Sequence, residues 1–337
     1  MTGRIRLADV AKAAEVSVAT ASKALTGAGR MTAETRERVQ RVASELGFRP
    51  NAMARALIQQ RSFTIGLLTG DSYGRFSMPV MQGISEALVH MGISVFMCGI
   101  EDDPGLAQVH LNAMLEKQVD GIICTGKRID RQLPLSMEGV PIPVVYALAA
   151  APEGSVVLVA DDAQGATDAT KWLKGLGRRN IAHVTGPESF ASARLRAEAF
   201  RAVTGGTGEV LHGAWSEGWG HQAVARLWEG NVRPDGIFCG NDQIARGVVD
   251  ALRERGVRVP EDVSVVGFDN WEIVAAATRP PLTTVDMNLR ELGREAGRLV
   301  MALAGGSRVE PGARALPCSL VVRGSCGGGP AAAKQGA

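Results

Sequence analysis

No stretch of this sequence approaches the roughly 18 uninterrupted apolar residues of a membrane-spanning helix, so a membrane span is not expected. The opening "MTGRIRLADVAKAAEVS" lacks the apolar core of a signal peptide, which predicts a chain that is not secreted and stays in the cytoplasm. Cysteine is sparse. Cys98, Cys124, Cys239, Cys318 and Cys326 lie far apart, mostly in apolar, strand-like runs, and are expected as buried or incidental free thiols in a reducing compartment. The histidines are scattered and no Cys/His spacing suits zinc, so no metal is expected. A nucleophile elbow and a P-loop are both missing, and "GGTG" at 205–208 reads as a loop rather than a phosphate cradle. Neither an enzyme nor a bound cofactor is expected.

What is present is an ordinary globular composition, with 45% hydrophobic and 21% charged residues over 337 positions, enough for two or three domains. The net charge of +2 conceals an asymmetry. Residues 1–61 hold 11 Lys/Arg against 5 Asp/Glu, whereas the remainder holds 26 against 30. A small basic head on a mildly acidic body suggests that the head meets a polyanion and the body something else.

In the head, Leu7, Val10, Ala11 and Ala14 recur at helical spacing. Ser17 is placed to cap a second helix, because its hydroxyl can accept a free backbone N–H of the first turn. Along that helix Val18, Ala21, Ala24 and Leu25 can face inward, while Ala19, Thr20, Ser22 and Lys23 stay outside. Thr32 starts a third helix whose buried side would be Val39, Val42, Ala43 and Leu46, and Gly47 ends it. Two short helices about a tight turn, backed by a third, describe a helix-turn-helix domain whose second helix carries small residues suited to the major groove. A small helical bundle for protein contacts has the same pattern. "RPNAMARALIQQRS" at 49–62 adds a short alanine-rich helix, entered at Pro50 and ringed by Arg49, Arg55 and Arg61, too short to stand without a partner.

The run "LADVAKAAEVSVATASKAL…TRERVQRVASELGFRPNAMARAL" resembles the head of the lactose-repressor (LacI/GalR) family of bacterial transcription regulators almost continuously through residues 5–61. The resemblance implies that residues 1–48 form the DNA-binding domain, with Ser17, Val18, Ala19, Thr20, Ser22 and Lys23 at the recognition helix. It implies that residues 49–61 are a hinge helix and linker that folds on the operator, with Leu57 as the wedge in the minor groove and Arg49, Asn51 and Arg55 along the backbone. Glu15 stands where the family usually has Gly, so the turn either avoids a left-handed backbone or accepts strain. Ala21 replaces a common Val. Lys23 replaces a frequent Arg and cannot offer guanine the planar fork of a guanidinium.

Beyond residue 62 the rhythm changes. "FTIGLL", "ISVFMC", "DGIICT" and "PVVY" alternate with helical stretches at 78–91 and 104–117. "NIAHVTG", "EVLHG", "DGIFCG" and "VSVVGFD" follow, separated by helices near 162–176, 190–203, 217–229 and 242–255. Such alternation predicts parallel sheets covered on both faces, with ligands collected at the strand ends. The family resemblance continues to about residue 324 and implies two doubly wound parallel-sheet lobes of the periplasmic-binding-protein type. The first lobe would take 62–158 and 288–316, the second 159–287 and 317–325 with a final strand "SLVVR". Residues 326–337, Gly-rich and without a heptad, would be a flexible tail. Tetrameric members of the family carry a C-terminal leucine-heptad helix, so a homodimer is expected.

The resemblance also implies a ligand cleft, with Asp161, Arg196, Trp215, Asn241 and Asp269 from the second lobe and Phe76 and Thr125 from the first; Asp71 matches an acidic residue common at the first strand end. Taken alone, Arg194 and Arg196 on an Ala-rich helix would be a solvated face, and Asn241 or Asp242 a helix cap. A carboxylate at Asp269 opposite an arginine can chelate neighbouring hydroxyls, and Trp215 can offer a flat face to a sugar ring. Lys127 and Arg128 depart from the family and are either simply exposed or a sign of an anionic ligand. The expectation is a DNA-binding regulator, most readily a repressor, controlled by a small molecule such as a sugar or sugar derivative. A solute-binding protein of a transporter would share the body but not the basic head. Inducer and corepressor roles for the ligand both remain open.

Overall fold

The computed structural model describes residues 5–26, 29–48, 61–71, 73–230 and 233–327. They fall into two compact units: a helical head up to Phe63, grouped with Lys117–Val119, and an α/β body formed by the rest.

The head comprises α1 (Leu7–Ala13), α2 (Val18–Thr26) and α3 (Ala33–Glu45). Its core is made of small side chains, Val10, Ala11, Ala14, Ala21, Ala24, Val39 and Ala43, none more than 5% exposed. Thr32 caps α3 by accepting from the Thr35 N–H at 3.2 Å. At the other end Gly47 takes φ +64°, the Gly47 N–H donates to Ser44 O, and the Phe48 N–H to Ala43 O at 2.8 Å. This left-handed cap turns the chain back, so Phe48 packs on the core. Leu46, expected on the buried side, is 37% exposed as a result. Val18 is a second correction: it is 49% exposed rather than inward-facing. The buried face of α2 is centred on Ala21 and Ala24, and Val18 lies roughly a quarter turn away from it at 100° per residue.

In the body, one sheet holds β1 (Thr64–Thr69), β2 (Ser94–Gly99), β3 (Gly121–Arg128), β4 (Val144–Ala149), β5 (Val156–Ala160) and β11 (Gly312–Leu316), in the order β11-β5-β4-β3-β1-β2. The other holds β6 (Ile181–Thr185), β7 (Val210–His212), β8 (Gly236–Cys239), β9 (Ser264–Asp269), β10 (Thr283–Asp286) and β12 (Ser319–Val321), in the order β12-β10-β9-β8-β6-β7. The central strands β3, β6, β8 and β9 are buried almost end to end, which is why their sequences are mostly apolar rather than alternating. Helices α4 (Ser77–Leu88), α5 (Pro104–Glu116) and α11 (Leu289–Ala304) pack with the first sheet. Helices α6 (Asp162–Gly175), α7 (Ala191–Thr204) and α9 (Asp242–Glu254) pack with the second; α8 (Glu217–Glu229) lies against α9, and the short α10 is Glu272–Ala275.

The chain passes between the sheets after β5, β10 and β11. The last passage makes an exception to the parallel pattern. Ser319, the first residue of β12, pairs with Asp286, the last of β10, so β12 enters at the end where its neighbours finish and must run antiparallel. Past it the backbone is still fastened: the Ser325 hydroxyl donates to Val265 O at 2.6 Å, and Cys326 is only 5% exposed. Cys326 therefore does not belong to a flexible tail. All five cysteines are buried and unpaired. Among the described residues no helix is long and apolar enough to cross a membrane.

Candidate functional site

The head exposes one helix face of the kind the sequence predicts. The Ser17 hydroxyl accepts from the Thr20 N–H at 3.0 Å and shares a 2.8 Å hydrogen bond with the Thr20 hydroxyl, which fixes the start of α2. Val18, Ala19 and Lys23 are exposed along it, with Thr20 and Ser22 half-buried. Glu15, just before, adopts φ +51°, so the turn accepts a left-handed residue with a side chain rather than avoiding that conformation. Arg49, Asn51, Arg55 and Leu57 lie outside the described residues.

The body contains a cavity of about 640 Å³ lined from both sheets at their strand ends. Arg196, on α7, is only 4% exposed. Its Nε donates to Asp162 Oδ1 at 2.7 Å, its Nη1 donates to Gly240 O, and the guanidinium lies 3.6 Å from the centroid of the Phe268 ring. Asp269 Oδ1 stands 4.0 Å from Arg196 Nη1. These contacts rule out the solvated-face alternative for Arg196. They also show that the protein's own groups hold the side chain in place.

Trp215 lines the same cavity, 5.8 Å from Phe190 and edge-on to it. The indole sits against Gly186, where a Cβ would come within 2.1 Å of the ring, so only glycine allows this position. Asn241 is both a cap, accepting from the Ile244 N–H at 2.8 Å, and a lining residue. Phe76 and Asp71 line the cavity too, and Asp71 anchors the start of α4 by accepting from the Phe76 and Ser77 N–H groups at 2.7 and 2.9 Å. Asp269 ends β9 with φ +105°, a strained conformation for a residue with a side chain.

Two expected residues are not in the lining. Thr125 is fully buried within β3, its hydroxyl without a hydrogen-bond partner. Asp161 caps α6 by accepting from the Gln164 N–H at 2.9 Å, and its neighbour Asp162 faces the cavity instead. The pair "DD" could not be resolved from sequence because either residue suits an N-cap.

Arg75 is a site residue that the sequence does not single out, and Asp242 and Arg128 take roles other than the helix cap and the exposed or ligand-binding residue expected of them. Arg75, from the loop before α4, ion-pairs with Asp269 across the cleft and donates from Nη1 to Gln243 Oε1 at 3.2 Å. Burial, with Arg196 nearby, brings its pKa down to about 10, against the opposing pull of Asp242 and Asp71. Asp242 lies beneath, accepting from the Trp271 N–H at 2.7 Å and the Thr284 hydroxyl at 2.5 Å; burial pushes its carboxyl up to about 6. On the opposite side Arg128 is committed rather than free. It donates to Asp130 and, at 3.1 Å, to Ser189 O, and it stacks 3.8 Å from the Phe190 centroid. Asp130 in turn accepts from the Ala191 N–H at 2.8 Å. The two sheets are thus bridged on both flanks of the cavity.

Comparison with known proteins gives two family matches: residues 6–51 match the model described as bacterial regulatory proteins, lacI family, and residues 170–326 match a periplasmic binding protein-like domain. The HTH-type transcriptional regulator DegA of Bacillus subtilis (strain 168) is 32% identical, with 94% of this chain and 96% of DegA covered. Among solved structures, the lac repressor dimer bound to operator and the anti-inducer ONPF superimposes with a TM-score of 0.72 at 27% identity, covering 96% of this chain and 99% of that one. The complex of the transcriptional regulator CelR with cellobiose gives 0.67 at 27% identity, covering 96% and 100%.

Proposed function

The chain belongs to the lacI family of bacterial regulatory proteins, DNA-binding, ligand-responsive transcription regulators that are not enzymes, and from that premise we propose that it is a homodimeric repressor of a palindromic operator whose grip is set by a sugar or sugar derivative held in the cleft. The observation that carries this reading is the outward face of α2, where Val18, Ala19 and Lys23 stand exposed on a helix whose opposite face packs into the head. Small side chains there let a helix approach base edges closely, and a lysine supplies a donor to guanine. In this reading Ser17, Thr20 and Ser22 contact the backbone or neighbouring bases. Arg49, Asn51 and Arg55 grip phosphates, and Leu57 wedges the central step.

The cleft supports the ligand half. Asp269 and Arg196 offer an acceptor and a donor to vicinal hydroxyls, Trp215 and Phe76 offer ring faces, and the dimeric lac repressor and the cellobiose complex of CelR supply the precedents. Thr125 and Asp161 act from behind this lining, as part of the walls. We take 62–158 with 288–316 as the first lobe and 159–287 with 317–325 as the second, hinged at the three passages of the chain. One head reads a half-site, so a two-fold dimer reads two half-sites spaced about one helical turn.

Selection of bound duplexes from a random library tests the proposal. It predicts a palindromic consensus, and Lys23→Ala should shift the base preference at one position of each half-site. Arg55→Ala should instead weaken all sequences alike and lower the salt slope by about one. A library that yields no consensus, or a Lys23→Ala variant weakened equally on operator and random DNA, contradicts it.

A further inference from the structure

Resting on the reading that the cleft holds the effector, we propose that Arg75 selects an effector bearing an anionic group, a carboxylate or a phosphate, which takes up the guanidinium and frees Asp269 for the ligand's hydroxyls. Arg75 reaches in from the first sheet's side, and its side chain is only 13% exposed. Phe76 and Trp271 flank it, with ring centroids 5.0 and 5.3 Å from the guanidinium carbon. Two of its nitrogens are engaged, with Asp269 and Gln243, while the Nε–H is buried and has no acceptor. The guanidinium therefore keeps an unsatisfied donor that an anion would take up as the side chain turns from Asp269.

Charge balance decides what kind of ligand fits. A neutral sugar that claimed Asp269 would break a buried ion pair and leave the Arg75 guanidinium without its direct partner, balanced only by the field of Asp242 and Asp71. A cationic ligand would satisfy Asp269 but add a positive charge beside Arg75 and Arg196. An anionic sugar keeps every charge paired: its carboxylate or phosphate meets Arg75, and its hydroxyls donate to Asp269. The other carboxylates at the cleft have partners of their own: Asp162 is paired with Arg196, Asp102 with Arg131, Asp71 accepts from the N–H groups at the start of α4, and Asp242 beneath Arg75 accepts from the Trp271 N–H and the Thr284 hydroxyl. Lys127, exposed on the same lining, adds positive charge at the mouth.

Calorimetry on the full-length protein with matched sets of neutral aldoses, their aldonates and their phosphates tests this. An acid or a phosphate should bind at least tenfold more tightly than its neutral parent, and the arm that wins identifies the anion. Arg75→Gln should abolish that preference, and Arg75→Lys, which keeps the charge, should restore part of it. Equal or tighter binding of the neutral parents, a panel in which no acid or phosphate binds, or a preference unchanged in Arg75→Gln overturns the proposal. Trp215→Ala separates it from the reading beneath: neutral sugars lost in Trp215→Ala but indifferent to Arg75→Gln would leave the cleft assignment standing and sink the role of Arg75.

Discussion

Arg75 and Asp269 meet across the cleft as an ion pair, the first contributed from the loop before α4 and the second from the last residue of β9. Together with the Arg128–Asp130 bridge to Ser189 and Ala191, this contact joins the two sheets on both flanks of the cavity. The lobes are therefore bridged by the protein's own side chains on both flanks of the cavity.

Arg196→Ala will first be a stability variant. Asp162 is 3% exposed and has Arg196 as its ion-pair partner, so removing the guanidinium strands a buried carboxylate at a cost of about 3–5 kcal/mol. Denaturant unfolding should show this loss in the absence of any effector. A variant as stable as the parent would mean that the pair contributes little and that Arg196 is kept for the ligand alone.

Gly186→Ala should disable the cleft without touching a polar group. Its methyl would drive the Trp215 indole from its place, at an overpacking cost of about 1–3 kcal/mol. Ligand affinity should fall to the level of Trp215→Ala, and near-ultraviolet circular dichroism should register the moved indole. Unchanged ligand affinity would remove Trp215 from the site.

Acid stability should bear the sign of His183. Burial lowers its pKa to about 3, so it is neutral in the fold, where its Nδ1 lies 2.9 Å from Phe238 O. The unfolded chain takes up the proton near pH 6.5, so this contribution is complete above that pH and is lost as pH falls toward 3, by at most about 1.4 kcal/mol per unit. Asp242, raised to about 6 by burial, works the other way: its contribution is complete near pH 4 and is lost as pH rises through 6. Urea midpoints between pH 4 and 7 should fall less steeply with acid in His183→Gln and more steeply in Asp242→Asn. Parallel profiles for all three proteins would refute both assignments.

Leu57→Ala should weaken operator binding severely while ligand binding stays unchanged. A leucine wedge unstacks a base step at a cost of a few kcal/mol, offset by contacts that only the bent duplex permits. Normal operator affinity in this variant would eliminate the hinge-helix assignment.

Much of the body could be read directly from sequence because its central strands are mostly apolar runs that alternate with helical stretches, as in "GIICT" and "VSVVGFD". The elements that escaped carry weaker signals. Helix α11 has Leu292, Ala296, Leu299 and Val300 at helical spacing on its buried side, a pattern that the run of charges around it masks. Strand β12 matches its apolar sequence, but its antiparallel direction follows from where the chain enters the sheet, which no local pattern encodes. At the site, Asp269, Asn241 and Trp215 were accessible through motif resemblance. Arg75 was not, because a lone arginine in a loop looks like a solvated one until the opposite lobe brings Asp269 and Gln243 to it. Asp162 was hidden by Asp161, and only the helix phase decides which of them turns inward.

The central claim is that the cleft controls the head. Fluorescence anisotropy of the selected operator duplex, titrated with the protein in the absence and presence of the saturating sugar or sugar acid found by calorimetry, tests it most directly. A coupling of about 1–3 kcal/mol, typical of linked sites, would move the operator midpoint by one to two decades in the native protein, and Gly186→Ala should remove that movement. Superimposable curves with and without the bound ligand in the native protein would contradict the account.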